Sequence, residues 1–386
     1  MRRDIQGRSS TARNREGTTL MSDPIDVGTA DELRGLVRGI PEVRVAGGGT
    51  KTALSRSATV RVAGLRGIVE YEPSEYTITA LAGTPVRDIA AVLAEHGQFL
   101  PFDPPLVDAG STLGGTIASG LSGSGRFRYG GIRDFLLGVR LVNGDGDIVR
   151  GGGRVVKNAA GFDIPRLTVG SLGCFGALIE ATFKVFPRPE SYATLIARSA
   201  SMDEAIENLQ RIAHSAEEPA CLDLVDRSTL HIRIGGMASA LSHRVERVRR
   251  LLRGTVDVVV SDDGLWSESR EFAWVPPGHH LAKVPITTSQ IGALESEWES
   301  VGAGPRRYAA GGHVLWLAWP GGRPWDAVDR VLRSFGRSAL VVFGDGKTVQ
   351  HGVWNPTPFA QRLARVFDPN GVFRLAPART GPTDHP

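Results

Sequence analysis

Asp108-Ala109-Gly110-Ser111-Thr112-Leu113-Gly114-Gly115-Thr116-Ile117-Ala118-Ser119-Gly120 reads as a glycine-rich turn that runs into a helix, with Ser111 as the expected N-cap. A helix N-terminus gathers free N–H groups and the positive end of the helix dipole, so the segment predicts an anion site. Gly114 and Gly115 let this helix approach something flat or rigid, though a plain helix–helix contact through small residues would use them too. Earlier in the chain, Arg44-Val45-Ala46-Gly47-Gly48-Gly49-Thr50-Lys51 supplies a second loop of this kind, directly after a strand marked by Val43 and Val45. Successive N–H groups in such a turn converge on one centre, and glycine admits positive φ and close ligand approach. Taken singly, this loop is as readily an ordinary tight turn. Together the two loops fit a dinucleotide, whose pyrophosphate needs several donors on several oxygens.

The common phosphate motifs are absent. A G-x-G-x-x-G starting at Gly47 would need glycine where Thr52 stands, and a P-loop ending in Gly346-Lys347-Thr348 would need glycine where Val341 stands. Around the loops, residues 29–39 predict a helix, and Val60, Val62, Ile68, Val69, Tyr71 and Thr77–Ala82 predict strands. Thr84 is the expected N-cap of a helix with Pro85 at its first position; Val86, Ile89, Ala90 and Leu93 repeat at helical spacing up to Gly97. Eighteen glycines fall between 110 and 176, well above the usual ~7%, without a fixed period. Asn143-Gly144 between Leu136–Val142 and Ile148–Arg150 signals a hairpin. Pro187 and Pro189 mark a boundary. Beyond them the pattern is strand 192–198, helix 202–214 with Ser201 and Glu204 at capping-box spacing, strands 220–225 and 229–234, helix 242–252 and strand 255–260. This βαββαβ order predicts a ferredoxin-like unit, extended by strand 313–319, helix 324–336 and strand 339–343. A helix at 358–367 and the turn Asp368-Pro369-Asn370-Gly371 close the chain.

Composition is that of a globular protein: 41% hydrophobic, 22% charged, with no run long enough for a membrane helix. Cys174 and Cys221 exclude a disulfide scaffold and show no metal-site spacing, so no metal is expected. Most of the net charge of +4 sits in the first residues, where Arg2, Arg3, Arg8, Arg13 and Arg15 face Asp4 and Glu16, so the charge is no footprint of nucleic acid. Residues 1–22 read as a disordered tail without an apolar signal core, and Met21 is a candidate start.

The segments, in order, resemble the PCMH-type, vanillyl-alcohol-oxidase-like FAD-linked oxidases. They are Gly47–Lys51; Gly110–Gly120 with Arg128-Tyr129-Gly130 and Arg133-Asp134; Lys157-Asn158-Ala159-Ala160-Gly161-Phe162-Asp163 with Leu167–Thr182; and Phe367–Phe373. Residues 190–350 match only loosely. The resemblance implies an α+β fold: a two-part FAD-binding domain at 23–189, a ferredoxin-like second domain at 190–350, and a segment at 351–386 that returns to the FAD domain. It implies FAD contacts from Gly47, Gly48, Gly49, Thr50, Lys51, Gly110, Ser111, Thr112, Gly114, Gly115, Ser119, Tyr129, Gly130, Gly170, Gly173, Gly176 and Ile179. No histidine stands in the first loop, where some members bond the flavin, so the FAD is expected to be non-covalent. The histidine-rich glycine motifs of the catalytic members are missing: Ala310-Gly311-Gly312-His313 is at best a relic and reads as plain strand, while His279, His280 and His351 are isolated. In this departure the chain resembles the FAD-binding E-type subunit of glycolate oxidase. That likeness implies a part in oxidising glycolate or a related 2-hydroxy acid, beside a catalytic flavoprotein subunit and an iron–sulfur subunit. It also implies a cytoplasmic location, with any contact to the inner membrane made through partners. An assembly subunit with structural FAD, and a stand-alone oxidase of another alcohol, are the alternatives. No catalytic residue is assignable.

Overall fold

The computed structural model describes residues 23–153, 163–354 and 358–373; the Lys157–Phe162 motif lies outside them. The N-terminal part has two layers that face each other. The first is a small parallel sheet, ordered Ile25–Asp26, Val60–Arg61, Val45–Ala46, covered by helix Ala30–Gly39. That helix forms because Thr29 accepts from Glu32 N–H while the Glu32 carboxylate reaches back to Thr29 N–H, and because Leu33 and Val37 share its buried face.

The second layer is an antiparallel sheet ordered Ile68–Glu72, Thr77–Leu81, Ala177–Lys184, Leu136–Val142, Ile148–Gly152. Helices Val86–Glu95 and Leu113–Ser119 pack on it through Val86, Ile89, Leu93, Leu113 and Ile117. Two local readings need correction. Thr84 does not cap the helix that follows: its hydroxyl accepts from Gly67 N–H and donates to Gly67 O, so Pro85 takes the cap position without a side-chain bond. Ser111 does not cap the next helix either. It is fully buried and donates to Pro105 O, and Thr112 holds the cap position, accepting from Gly115 N–H. The hairpin after Val142 turns through five residues, because the Asn143 side chain accepts from both Asp145 N–H and Asp147 N–H.

After Phe186–Pro187 pairs with Gln98–Phe99, the chain enters a nine-stranded sheet spanning Ser191–Gly352. Its first half is the expected βαββαβ unit, with Thr255–Val259 at one edge, then Ser191–Arg198, Thr229–Gly236 and Cys221–Leu224. Its second half repeats that order, a feature not read from the sequence. Strand His279–Pro285, helix Ile291–Ser300, strands Arg306–Ala309 and Val314–Pro320, helix Asp326–Ser334 and strand Ser338–Phe343 form a second βαββαβ unit. The units join where Leu224 pairs with Tyr308, and one apolar cluster, including Leu224, Tyr308, Trp298 and Trp319, runs through both.

The chain then returns through helix Pro358–Phe367, and Phe373 bridges Val43 of the first layer. The Asp368 carboxylate accepts from Val372 and Phe373 N–H at 2.8 and 2.7 Å, in buried surroundings. Asp368→Ala would leave both donors unsatisfied, so it is expected to cost roughly 2–3 kcal/mol, read as a lower urea midpoint at unchanged slope.

Candidate functional site: a glycine-lined cleft

Between the two N-terminal layers lies an open cleft, whose empty space together with its open mouth is about 790 Å³. Its walls bring together Gly47, Gly48, Gly49, Thr50 and Lys51 from the first loop, Thr112, Gly115 and Ser119 from the capped helix, and Gly173 from the third glycine turn. A deeper extension adds Gly114 and Gly176. Six expected residues do not line it. Gly110 and Ser111 sit behind Thr112, Gly130 and Gly170 lie outside the lining, Ile179 is buried in the apolar core, and Tyr129 faces a different cavity.

The first loop is built to donate. None of the N–H groups of Gly47, Gly48, Gly49, Thr50 and Lys51 has an acceptor among the described residues. The second loop is largely spent. Gly110, Ser111, Leu113 and Gly114 N–H go to Val107, Leu106, Thr84 and Ala82 carbonyls, and Asp108 and Ala109 N–H go to the Glu271 carboxylate at 2.9 and 3.0 Å. These N–H groups border the cleft, with Gly48 and Gly49 exposed and Lys51 buried, so they are free to hold an anion that enters it.

The glycines divide by role. A Cβ on Gly47 would lie 2.0 Å from Thr112 Oγ1, and one on Gly48 would lie 2.2 Å from Gly110 O; these two let the loops touch each other. Gly173, at φ +85°, would aim a Cβ into open space, so it keeps the cleft wide and the turn possible.

The charge is cationic. Among the described residues Arg44 and Lys51 are the only charged side chains in the lining. Arg44 pairs with Glu42, yet its buried Nε has no partner. Lys51 is 6% exposed and its amine reaches only Thr50 Oγ1, at 3.3 Å. Burial pulls that amine down to about 8, against a smaller upward pull from Glu271. Burial likewise pushes the Cys174 thiol, in the third turn, up to about 11, which keeps it protonated and unreactive.

Two sites escaped the sequence. Glu271 and Ser267 tie the second sheet's flanking helix Asp263–Arg270 to the loop before Gly110, Ser267 donating to Asp108 at 2.9 Å. Arg270 stands where an open cavity, lined from both the N-terminal layers and the nine-stranded sheet's part of the chain, meets a small pocket holding Ser124, Asp223 and Arg307. Its Nε is buried without a partner, and its Nη1 lies 3.4 Å from Asp103. No long-range sequence signal pairs residue 271 with residue 108. The described histidines stay away from the cleft lining. His313 is exposed on a turn whose Gly311 packs on Phe127, His280 lies against Trp325, and His351 rests on Asp329 at 3.2 Å. Among the described residues no group of His, Cys, Asp and Glu could hold a metal, and no helix is long and apolar enough to cross a membrane.

Residues 27–152 match the FAD binding domain family. The chain is 44% identical over 168 residues to glycolate oxidase subunit GlcE of Escherichia coli (strain K12), covering 43% of this chain and 48% of that one. It is 36% identical over 163 residues to glycolate oxidase subunit GlcD of Bacillus subtilis (strain 168), covering 42% and 34%. To mitochondrial D-lactate dehydrogenase [cytochrome] 1 of Saccharomyces cerevisiae it is 26% identical over 238 residues, covering 54% and 40%. It thus spans about half or less of the length of these relatives. Alkyldihydroxyacetonephosphate synthase superimposes with a TM-score of 0.67 at 15% identity, covering 92% of this chain and 76% of that one, which shows a shared α+β fold. The cleft's unpaired donors and its two cations have the chemistry that the pyrophosphate of FAD requires.

Proposed function

We propose that the chain is the FAD-binding subunit of a glycolate oxidase or dehydrogenase-type complex, an FAD-dependent oxidoreductase acting on CH–OH donors. In this reading it takes part in oxidising glycolate or a related 2-hydroxy acid to the 2-oxo acid, with a catalytic flavoprotein subunit and an iron–sulfur subunit as partners. The observation that carries it is the row of unpaired N–H groups from Gly47 to Lys51 beside the buried amine of Lys51, a cradle for a pyrophosphate. FAD supplies hydride and electron transfer when bound. Gly47–Lys51 would hold its pyrophosphate non-covalently, and the capped helix from Leu113 would turn its positive end to the same group. Among the described residues no histidine lines the cleft to accept the hydroxyl proton, and our reading is therefore of a subunit that relays electrons rather than one that oxidises the acid alone.

The test is the purified chain with bound flavin, mixed anaerobically with glycolate or D-lactate, alone and with the catalytic subunit. The yellow colour is expected to persist alone and to bleach only with the partner. Bleaching by the chain alone would favour a stand-alone oxidase; persistence in both cases would favour a structural FAD. Failure to take up FAD at all would end the reading.

A further inference from the structure

The loop that backs the cradle is held from the second domain. Residues 105–111 close on themselves: Ser111 donates its N–H to Leu106 O and its hydroxyl to Pro105 O, and Gly110 N–H goes to Val107 O. The segment therefore moves as one piece. Its inner end abuts the first glycine loop, because the Gly110 carbonyl oxygen lies 2.2 Å from where a Cβ on Gly48 would stand. Its outer end meets the C-terminal end of helix Asp263–Arg270. There Leu106 N–H donates to Arg270 O at 3.1 Å, and Ser267 donates to the Asp108 carboxylate. Asp108 and Ala109 N–H donate to one oxygen each of the Glu271 carboxylate, at 2.9 and 3.0 Å.

The helix that carries Glu271 is fixed to the nine-stranded sheet. Trp266 is buried and donates to Thr194 Oγ1 at 2.8 Å, and the Asp262 carboxylate at the helix start is gripped by Arg233 and Thr194. Three features set this clasp apart from ordinary satisfaction of donors. Asp108 and Ala109 are exposed, so water would serve their N–H groups as well. Glu271 is half-buried and forms no ion pair among the described residues; two converging N–H groups hold its charge, as they would hold a bound anion. On both sides of the contact the backbone is left-handed without glycine, at Leu106 (φ +61°) and Phe272 (φ +55°), and both side chains join one apolar cluster with Trp316. Such residues are strained and persist only where the surrounding contacts impose them.

We propose that Glu271 is a positioning residue for the cofactor: from the second domain it fixes loop 105–111 against Gly47–Lys51, and so sets how tightly the chain holds FAD. The inference rests on the reading that the chain holds FAD in the glycine-lined cleft. It makes cofactor affinity depend on how the two domains dock, and by linkage bound FAD tightens that docking by the same factor.

The experiment measures FAD affinity by fluorescence titration, and the urea midpoint of the apoprotein, for the wild type, Glu271→Ala and Glu271→Gln. Each is measured with acetate and with sodium chloride at matched ionic strength. Glu271→Ala is expected to bind FAD about tenfold more weakly, within the range usual for coupled sites. Its midpoint should stay close to that of the wild type, because the freed donors face water. Acetate should restore much of the affinity by filling the vacated pair of N–H groups, and sodium chloride should not; the wild type should respond alike to the two salts. Glu271→Gln should lie between, since its amide accepts from one N–H and sets its own NH2 against the other. Wild-type affinity in Glu271→Ala would overturn the proposal. So would a loss that accompanies a lowered midpoint and that acetate leaves unrepaired, which would make Glu271 a strut between domains. If Glu271→Ala does not fold, Glu271→Gln decides, and an unmoved affinity there overturns the proposal equally. A wild type that takes up no FAD is a different result, and it removes the FAD reading itself.

Discussion

Lys51→Met is expected to weaken FAD binding by about a hundredfold near neutral pH and to erase its pH dependence. The amine is almost wholly buried and meets only Thr50 Oγ1, so the free protein carries a charge it does not solvate well. A pyrophosphate on the neighbouring N–H groups restores that solvation as a charge-assisted contact of roughly 1.5–3 kcal/mol. With the amine at about 8 in the free protein, FAD binding above that pH takes up a proton. Affinity should therefore fall by up to about tenfold per pH unit from 8 upward. Stability follows with a definite sign. The folded amine, at about 8, lies below its ordinary 10.5. The unfolded chain thus binds the extra proton between these values, and apoprotein stability rises with pH through that window. The penalty is fully present below 8. FAD-loaded protein should lack this rise, as should Lys51→Met. Fluorescence titration of FAD from pH 7 to 9.5 reads the first effect and urea unfolding the second. A flat wild-type affinity, or an undiminished slope in Lys51→Met, would remove Lys51 from the cradle.

What could be read before any coordinates were those features that one segment specifies by itself. The loop at Gly47–Lys51, the amphipathic run from Val86, the hairpin around Asn143-Gly144 and the first βαββαβ unit each carry their own periodicity or turn chemistry. Strand His279–Pro285 escaped because Lys283 interrupts its apolar pattern, and it does so because that position looks out of the second domain at Gly120. With that strand unread, helix Ile291–Ser300 and the second βαββαβ unit stayed hidden. Ser111 and Thr112 are both good cap residues, and only the depth of burial at Pro105 decides between them. The donors of the second loop looked free for the same kind of reason: the carboxylate that takes two of them, Glu271, belongs to another domain.

Gly48→Ala is expected to cost roughly a hundredfold in FAD affinity with no simple rescue, whereas the damage of Gly47→Ala is expected to be largely repaired by Thr112→Ala. Both glycines have φ values that any residue adopts, so each cost is steric. At Gly47 the new methyl would collide with Thr112 Oγ1 at 2.0 Å, and the next atom, Thr112 Cβ, is 3.1 Å away. Removing the hydroxyl thus opens most of the space, and what remains is the loss of a helix cap, about 1 kcal/mol. At Gly48 the obstacle is the Gly110 carbonyl oxygen at 2.2 Å, which no side-chain substitution removes. The loops must then part, at the ~1–3 kcal/mol typical of overpacking, and parting them spreads the converging N–H groups of the cradle. The measurement is FAD affinity and melting temperature for Gly47→Ala, Gly48→Ala, Thr112→Ala and the Gly47→Ala/Thr112→Ala pair. Non-additivity should appear in the double variant because the two positions share one contact. Additive losses would mean that the loops do not touch as described, and an unchanged FAD affinity in Gly48→Ala would mean that the spacing of the two loops does not set the cradle.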